Sequence, residues 1–394
     1  MSLDFQQVRQ QVKKLGEDAP SREDRLKALR QQARDLLQVN AGELESLRQK
    51  VQAVVRSHDP SLRCAMPTFE RLNANYPLPV IPSRATLLAA DGSQIYFDRH
   101  AAAEYFLINI GSIQMEYGDD QPPAISVLSD LHYGDDLHIS GSYPSEEKIS
   151  LLRDLRERQA LADLAEQSNS PLIAMTDGSL ELWGASPGSA ADQAGEEPDS
   201  LGAFLETLAR QEAAGATVAG YVDKPGEDYV VRLLEVASQP AENARERPLR
   251  GVRDTDLFRH LLVPGERSAV FEVQTRSAGI YRRRSASFAP HFFYLNVGRL
   301  GRPWLARVDI LAWVAEDRHR LDDLHAVLVH QCRMLGSRPY PYALHRAHEV
   351  ARVTADEKGQ VELMITNELR RHGVPVDESH KQYLKNLSGK GRYG

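Results

Sequence analysis

The chain of 394 residues has only two cysteines, Cys64 and Cys332, far apart and without metal-ligand spacing. That excludes a disulfide framework and a cysteine-based zinc site, and it suits a reducing compartment. There is no Gly-x-x-x-x-Gly-Lys-Ser/Thr loop, so ATP binding of the P-loop kind is not expected. There is no Gly-x-Ser-x-Gly elbow to present a serine nucleophile. Positive charge is not in excess: the formal net charge is -7, so any nucleic-acid contact has to come from a local patch. No apolar run reaches the length of a membrane span. The start, Met1-Ser2-Leu3-Asp4-Phe5, has no basic n-region and no apolar h-region. The expectation is a cytoplasmic protein without membrane contact, long enough for one large domain or two smaller ones.

What the chain does have is one tripeptide in two copies, Asp91-Gly92-Ser93 and Asp177-Gly178-Ser179. Ala85–Ala90 precedes the first and Pro171–Thr176 the second, and apolar runs of this length bounded by a glycine read as buried strands. Each aspartate is then expected where a strand ends and the chain turns. On neighbouring strands, two such carboxylates could share a divalent cation, the usual start of a metal-dependent phosphoryl-transfer site. The plainer reading is two Asp-Gly turns.

The order of patterns predicts an α/β fold. Residues 4 to about 57 read as helical, with a break at Ala19-Pro20-Ser21 and apolar stripes at Val8/Val12/Leu15, Leu26/Leu29/Leu36/Leu37 and Leu44/Leu47/Val51. A proline-rich linker covers 77–82. Strands are expected at 85–90, 93–97, 104–114, 123–129, 171–176, 216–222, 268–274, 291–297 and 304–313. Helices are expected at about 145–167, 201–214, 319–335 and 341–352. Residues 185–200 and 239–252 read as flexible insertions, and the tail at 389–392 as frayed.

Three groups of residues could carry chemistry beside the aspartates. Glu157 shares a helix face with Leu161 and Leu164, so its carboxylate either snorkels or meets a cation. In Tyr340-Pro341-Tyr342-Ala343-Leu344-His345-Arg346-Ala347-His348, Pro341 suits a first helical turn, and His345 and His348 lie one turn apart. A histidine beside aspartates can ligate a metal or move a proton. Residues 273–307 hold seven arginines (276, 282, 283, 284, 299, 302 and 307) and no Asp or Glu, interleaved with Tyr281, Phe288, His291, Phe292, Phe293 and Tyr294. Arginines reach phosphates and aromatic rings stack on unpaired bases. Phe292 and Tyr294 read better as core strand residues, and the Arg282–Arg284 run as phosphate contacts.

These residues together resemble the NurA nuclease family. The resemblance rests on strand-Asp91-Gly92-Ser93, the helix with Glu157, strand-Asp177-Gly178-Ser179-Leu180, and Tyr340-Pro341-x-x-Leu344-x-x-Ala347-His348. Arg307-Val308-Asp309-Ile310 looks like the family's Arg-x-acid-x-Pro stretch, with Leu311 where that proline is usual. The resemblance covers about residues 80–355, leaving an N-terminal helical region (1–76) and a C-terminal extension (356–394). It implies an RNase H-like mixed sheet flanked by helices, and a manganese-dependent site, with magnesium as the alternative ion. The implied ligands are Asp91, Glu157, Asp177 and His348, with Tyr340 close by. Glu147 and Asp154 lie on the same helix as Glu157, so the choice of helix carboxylate stays open. Arg276, Arg282, Arg283, Arg284, Arg299 and Arg302 would hold the DNA. The implied activities are 5′ to 3′ exonuclease and single-strand endonuclease cleavage at double-strand breaks, by a homodimer docked on a hexameric HerA-type ATPase. A non-catalytic DNA-end scaffold and a phosphoesterase for small substrates are the rival readings.

Overall fold

The computed structural model describes residues 3–97, 104–118, 121–137, 145–169, 171–182 and 200–374. In chain order the elements begin with α1 (Phe5–Val39), α2 (Leu44–Ser57), β1 (Cys64–Pro67), β2 (Asn75–Tyr76), β3 (Ala85–Ile95), β4 (Tyr105–Tyr117) and β5 (Ala124–Tyr133). Next come α3 (Glu146–Glu166), β6 (Leu172–Asp177), α4 (Ser200–Ala213), β7 (Ala216–Val222), α5 (Tyr229–Ser238) and α6 (Asp254–Leu261). Then β8 (Arg267–Ser268), β9 (Phe271–Gln274), α7 (Ala278–Arg284), β10 (Pro290–Asn296) and β11 (Leu305–Leu311) follow. Last are α8 (Ala312–Ala315), α9 (Arg318–Met334), α10 (Tyr342–Ala351) and α11 (Ala355–Arg371). The insertion expected at 185–200 falls, apart from Ser200, outside the described residues, as does the tail at 389–392.

The chain divides into two compact units, each built from two separate stretches. One comprises residues 1–80 and 222–329; the other comprises 81–221 and 330–394. In the first unit, β1, β9, β10 and β11 pair antiparallel in that order, with β8 on β10 and β2 on β8. One apolar core joins Ala33, Val51 and Leu72 from the N-terminal stretch to Val231, Phe258, Phe271 and Phe292 from the later one. The expected break at Ala19-Pro20-Ser21 is absent: α1 runs through Pro20. A mid-helix proline removes one backbone hydrogen bond. Its flanks are rich in strong helix formers, and the far end of α1 is docked through Ala33 and Leu37.

No strand or α-helix lies in 239–252, but this loop is anchored: Ala244, Leu249 and Val252 are buried. Its anchor is Glu235, fully buried on α5. Glu235 accepts from Arg232 (2.9 Å), Arg247 (2.6 Å) and the Leu249 N–H (2.9 Å). A buried carboxylate is tolerable only with partners of this kind.

The second unit holds a mixed sheet in the order β5-β4-β3-β6-β7. β3, β4 and β5 form an antiparallel meander, while β6 runs parallel to β3 and β7 parallel to β6. This is the strand order and polarity of an RNase H-like sheet. Helices flank both faces: α3 packs on one side of β3, and α10 on the other. Among the described residues, no helix is long and apolar enough to cross a membrane.

Candidate metal-dependent active site

The first tripeptide is not a turn. β3 continues through it to Ile95, with Asp91 opposite Gly111, Gly92 opposite Ile110 and Ser93 opposite Asn109 on β4. Asp-Gly favours turns locally, but a full antiparallel ladder with β4 outweighs that preference. The alternation of a strand then sends the three side-chain positions to different tasks. On one face, Asp91 Oδ2 accepts from His348 Nδ1–H of α10 at 2.7 Å, and Asp91 Oδ1 accepts from the Gly92 N–H at 2.9 Å. On that face too, Ser93 Oγ donates to the Ala351 carbonyl (2.6 Å) and accepts from the Val353 N–H (3.1 Å). Asn109 donates to the same carbonyl at 2.8 Å, so the end of α10 is tied to two strands.

On the other face Gly92 makes room for α3. A Cβ at that position would lie 2.7 Å from both Glu157 Oε1 and the Arg153 side chain. Gly111 does the same for α10, since a Cβ there would lie 2.5 Å from the Ala351 nitrogen and 2.9 Å from the Ala347 carbonyl. His348 reaches Asp91 only because α10 can descend onto this glycine. Gly111→Ala is therefore expected to destabilise the fold by about 1–3 kcal/mol through overpacking. Urea denaturation checks this; a midpoint equal to that of the native chain would show that α10 is not held against β4.

The second tripeptide does sit at a strand end. Asp177 is the last residue of β6, and Gly178 follows in the left-handed region at φ 93°. Ala90 pairs with Thr176 in parallel register, so Asp91 and Asp177 lie level, one residue further along neighbouring strands. Asp177 pairs on its other side with Tyr221 of β7, and the Tyr340 ring stands edge-on to Tyr221 at 5.6 Å.

Of the three helix carboxylates, Glu147 is exposed and Asp154 is held by Arg153, while Glu157 is buried against Gly92. Burial pushes the Glu157 carboxyl up to about 8; Arg158 and Arg153 pull it down, and Asp154 and Asp91 add to the rise. Arg153 lies 3.2 Å from Glu157 and also donates to Gln94 at 3.0 Å. Arg158 donates to the Ser179 carbonyl at 3.1 Å, tying α3 to the second tripeptide. Neither arginine stands out in the sequence, although the Arg153–Glu157 spacing of one helical turn is legible there. His345 turns away, toward Glu349 on its own helix, at 3.6 Å.

The structure thus brings Asp91, His348, Glu157 and Asp177 to one end of one sheet, with Tyr340 beside it through Tyr221. Among the described residues, no three His, Cys, Asp or Glu side chains close into a metal cage by themselves. The donor set still fits a hard divalent ion: carboxylates on adjacent strands, one imidazole and a buried glutamate. Such ions commonly take one or two carboxylates and complete their shell with water and substrate phosphate.

The arginine stretch lies in the first unit and divides. Arg276, Arg283, Arg284, Arg299 and Arg302 are exposed. Arg282 is exposed too, but paired with Glu272. The Arg282–Arg284 run forms the last turn of α7, where cations also offset the helix dipole. Arg307 is buried between Asp309 (2.7 Å) and Glu227 (3.0 Å), out of reach of DNA. Tyr281, Phe288, His291, Phe292, Phe293 and Tyr294 are all buried, so none of them is a stacking platform. They lie among the arginines in sequence because β10, buried along its whole length, runs between the exposed last turn of α7 and the exposed residues 299–302.

The sequence matches the NurA domain over residues 85–353. Among curated proteins none matches. The structure is similar to the NurA nuclease from Sulfolobus solfataricus, at 14% identity and TM-score 0.47, covering 76% of this chain and 88% of that one. It is similar to a NurA determined with manganese, at 9% identity and TM-score 0.40, covering 84% and 95%. A type 1 RNase H with the type 2 active-site motif aligns at 12% identity and TM-score 0.22, covering 38% and 67%. With the domain match spanning more than half of its length, the chain belongs to the NurA family of nucleases.

Proposed function

We propose that this chain is a divalent-metal-dependent deoxyribonuclease whose site is Asp91, Glu157, Asp177 and His348, with Tyr340 at its edge. The observation that carries the reading is the level placement of Asp91 and Asp177 on adjacent parallel strands, with His348 on Asp91. A bound divalent ion would supply Lewis-acid stabilisation at the scissile phosphate and acidify a water. Asp91, within β3, and Asp177, at the end of β6, would hold that ion. Glu157 would have to give up a proton to join them, since burial pushes its carboxyl up to about 8. With Nδ1–H committed to Asp91, His348 keeps Nε2 for ligation or for proton transfer. Tyr340 would steady the phosphate from the Tyr221 side. Manganese is the ion this reading favours, with magnesium as the alternative; membership of a family in which a NurA has been determined with manganese supports it.

The exposed arginines Arg276, Arg282, Arg283, Arg284, Arg299 and Arg302 would hold the DNA backbone. Family membership supports the finer reading: 5′ to 3′ exonuclease and single-strand endonuclease action on broken ends, as a homodimer docked on a HerA-type hexameric ATPase. The test is digestion of end-labelled single- and double-stranded DNA with manganese, magnesium or EDTA, with a mononucleotide ester alongside. Loss of DNA label with manganese, and none with EDTA, is expected. Release of phosphate from the mononucleotide with DNA left intact would favour the phosphoesterase reading. No cleavage in any arm, with the ATPase partner and ATP added, would favour the scaffold.

A further inference from the structure

The hairpin between β10 and β11 extends past both strands and is braced by backbone and side-chain hydrogen bonds. Val297 N–H donates to the Trp304 carbonyl (2.9 Å), and Arg299 and Arg302 exchange backbone hydrogen bonds at 3.1 and 2.9 Å. That leaves a two-residue loop, Leu300-Gly301, with Gly301 at φ 74°. Asn296, buried at the base, accepts from the Gly298 N–H (3.0 Å) and the Trp304 N–H (3.2 Å). Its own amide donates to the Leu262 carbonyl at 2.9 Å. The strands close so tightly at Gly298 that a Cβ there would lie 2.3 Å from the Trp304 nitrogen. At the base of the loop Trp304 donates to Asp223 (2.7 Å), and Lys224 lies over its ring at 4.8 Å.

This rigid mount carries Leu300, which is 91% exposed and flanked by exposed Arg299 and Arg302. A single exposed leucine on a surface needs no explanation. A leucine at the apex of a braced hairpin between two cations matches a specific ligand. Apolar wedges enter base steps and unstack them while neighbouring cations hold the phosphates.

We propose that the Arg299-Leu300-Gly301-Arg302 tip is a wedge for the end of a DNA duplex. Leu300 enters the terminal base step and unstacks the end base, and Arg299 and Arg302 take the flanking phosphates. The bracing matters because a floppy loop would lose in ordering what it gained in stacking. The proposal rests on the reading of the chain as a DNA nuclease.

The test uses a blunt duplex with 2-aminopurine in its terminal pair, and a labelled single strand of the same sequence. With EDTA present, the full chain should raise the fluorescence of the terminal base. With manganese, Leu300→Asn should lower the ratio of duplex to single-strand cleavage by about tenfold. Its thermal transition should match that of the native chain, as asparagine is at home in such turns. Native protein that cuts single strands but leaves the terminal base stacked would overturn the wedge alone. An unchanged cleavage ratio in Leu300→Asn would do so as well. Native protein that neither binds nor cuts either DNA would overturn the nuclease reading, and the wedge with it.

Discussion

Asp91→Ala is expected to lower manganese-dependent DNA cleavage by about a thousandfold or more, with folding intact. The size follows from the proposed role: a carboxylate that helps to hold a catalytic ion would support several kcal/mol of transition-state stabilisation, and each 1.36 kcal/mol is tenfold in rate. Intact folding follows from the surroundings. Asp91 makes two polar contacts, to His348 and to the Gly92 N–H. Its charge also opposes ionisation of Glu157, so its removal relieves a repulsion. The native backbone pairing of Asp91 with Gly111 does not involve the side chain. The measurement pairs single-turnover cleavage with thermal unfolding on one preparation. Cleavage within tenfold of the native rate would remove Asp91 from the metal site.

The second large effect is on stability. Glu235→Ala is expected to cost about 3–5 kcal/mol, the range for breaking a buried ion pair from one side. The side chain is wholly buried and serves three donors from two segments. Its loss leaves Arg232, itself 4% exposed, with the Ala244 and Glu246 carbonyls but no carboxylate, and leaves the Leu249 N–H without its acceptor. Arg247 keeps Asp228 as a partner, so the damage concentrates on Arg232. A double variant, Arg232→Met with Glu235→Leu, should therefore be more stable than Glu235→Ala. Urea unfolding of the three proteins decides. A single-variant cost under about 1 kcal/mol would mean that the network is solvated rather than buried.

Much of the second unit was legible from patterning alone. The helix expected at about 145–167 is α3 at Glu146–Glu166, and the two strands after it fall within a residue of expectation; before it, the strands expected at 85–90 and 93–97 are one, and those expected to end at 114 and 129 run on to Tyr117 and Tyr133. What was not legible depends on distant partners. Nothing in Asp91-Gly92-Ser93 announces a continuous strand, because the ladder that straightens it comes from Gly111 and Asn109. The helix at 229–238 is missed although Arg232 and Glu235 lie one turn apart, because eight of its ten residues are buried and those two charges find their partners in the loop at 244–249. α11 is missed for the opposite reason: it has no buried residue. Gly111 carries no chemical signal, yet it sets the height of α10 and hence the reach of His348. The arginine stretch shows the converse error, in which a suggestive composition spans exposed cations and buried rings that never share a surface.

The two units also have an order in time. Ala33, Val51 and Leu72 belong to a core whose other half, Val231 to Phe292, is encoded after the whole of β3 to β7. About two hundred residues separate Leu72 from Phe271. At synthesis rates of roughly 5–20 residues per second, the N-terminal helices wait about 10–40 s for their partners. During that interval Leu47, Val51 and Val54 of α2 have only the N-terminal part of their core, without its later half from Val231 to Phe292. An incomplete core exposes apolar surface, so slowing translation ahead of residue 230 should lower soluble yield more than slowing it after residue 330.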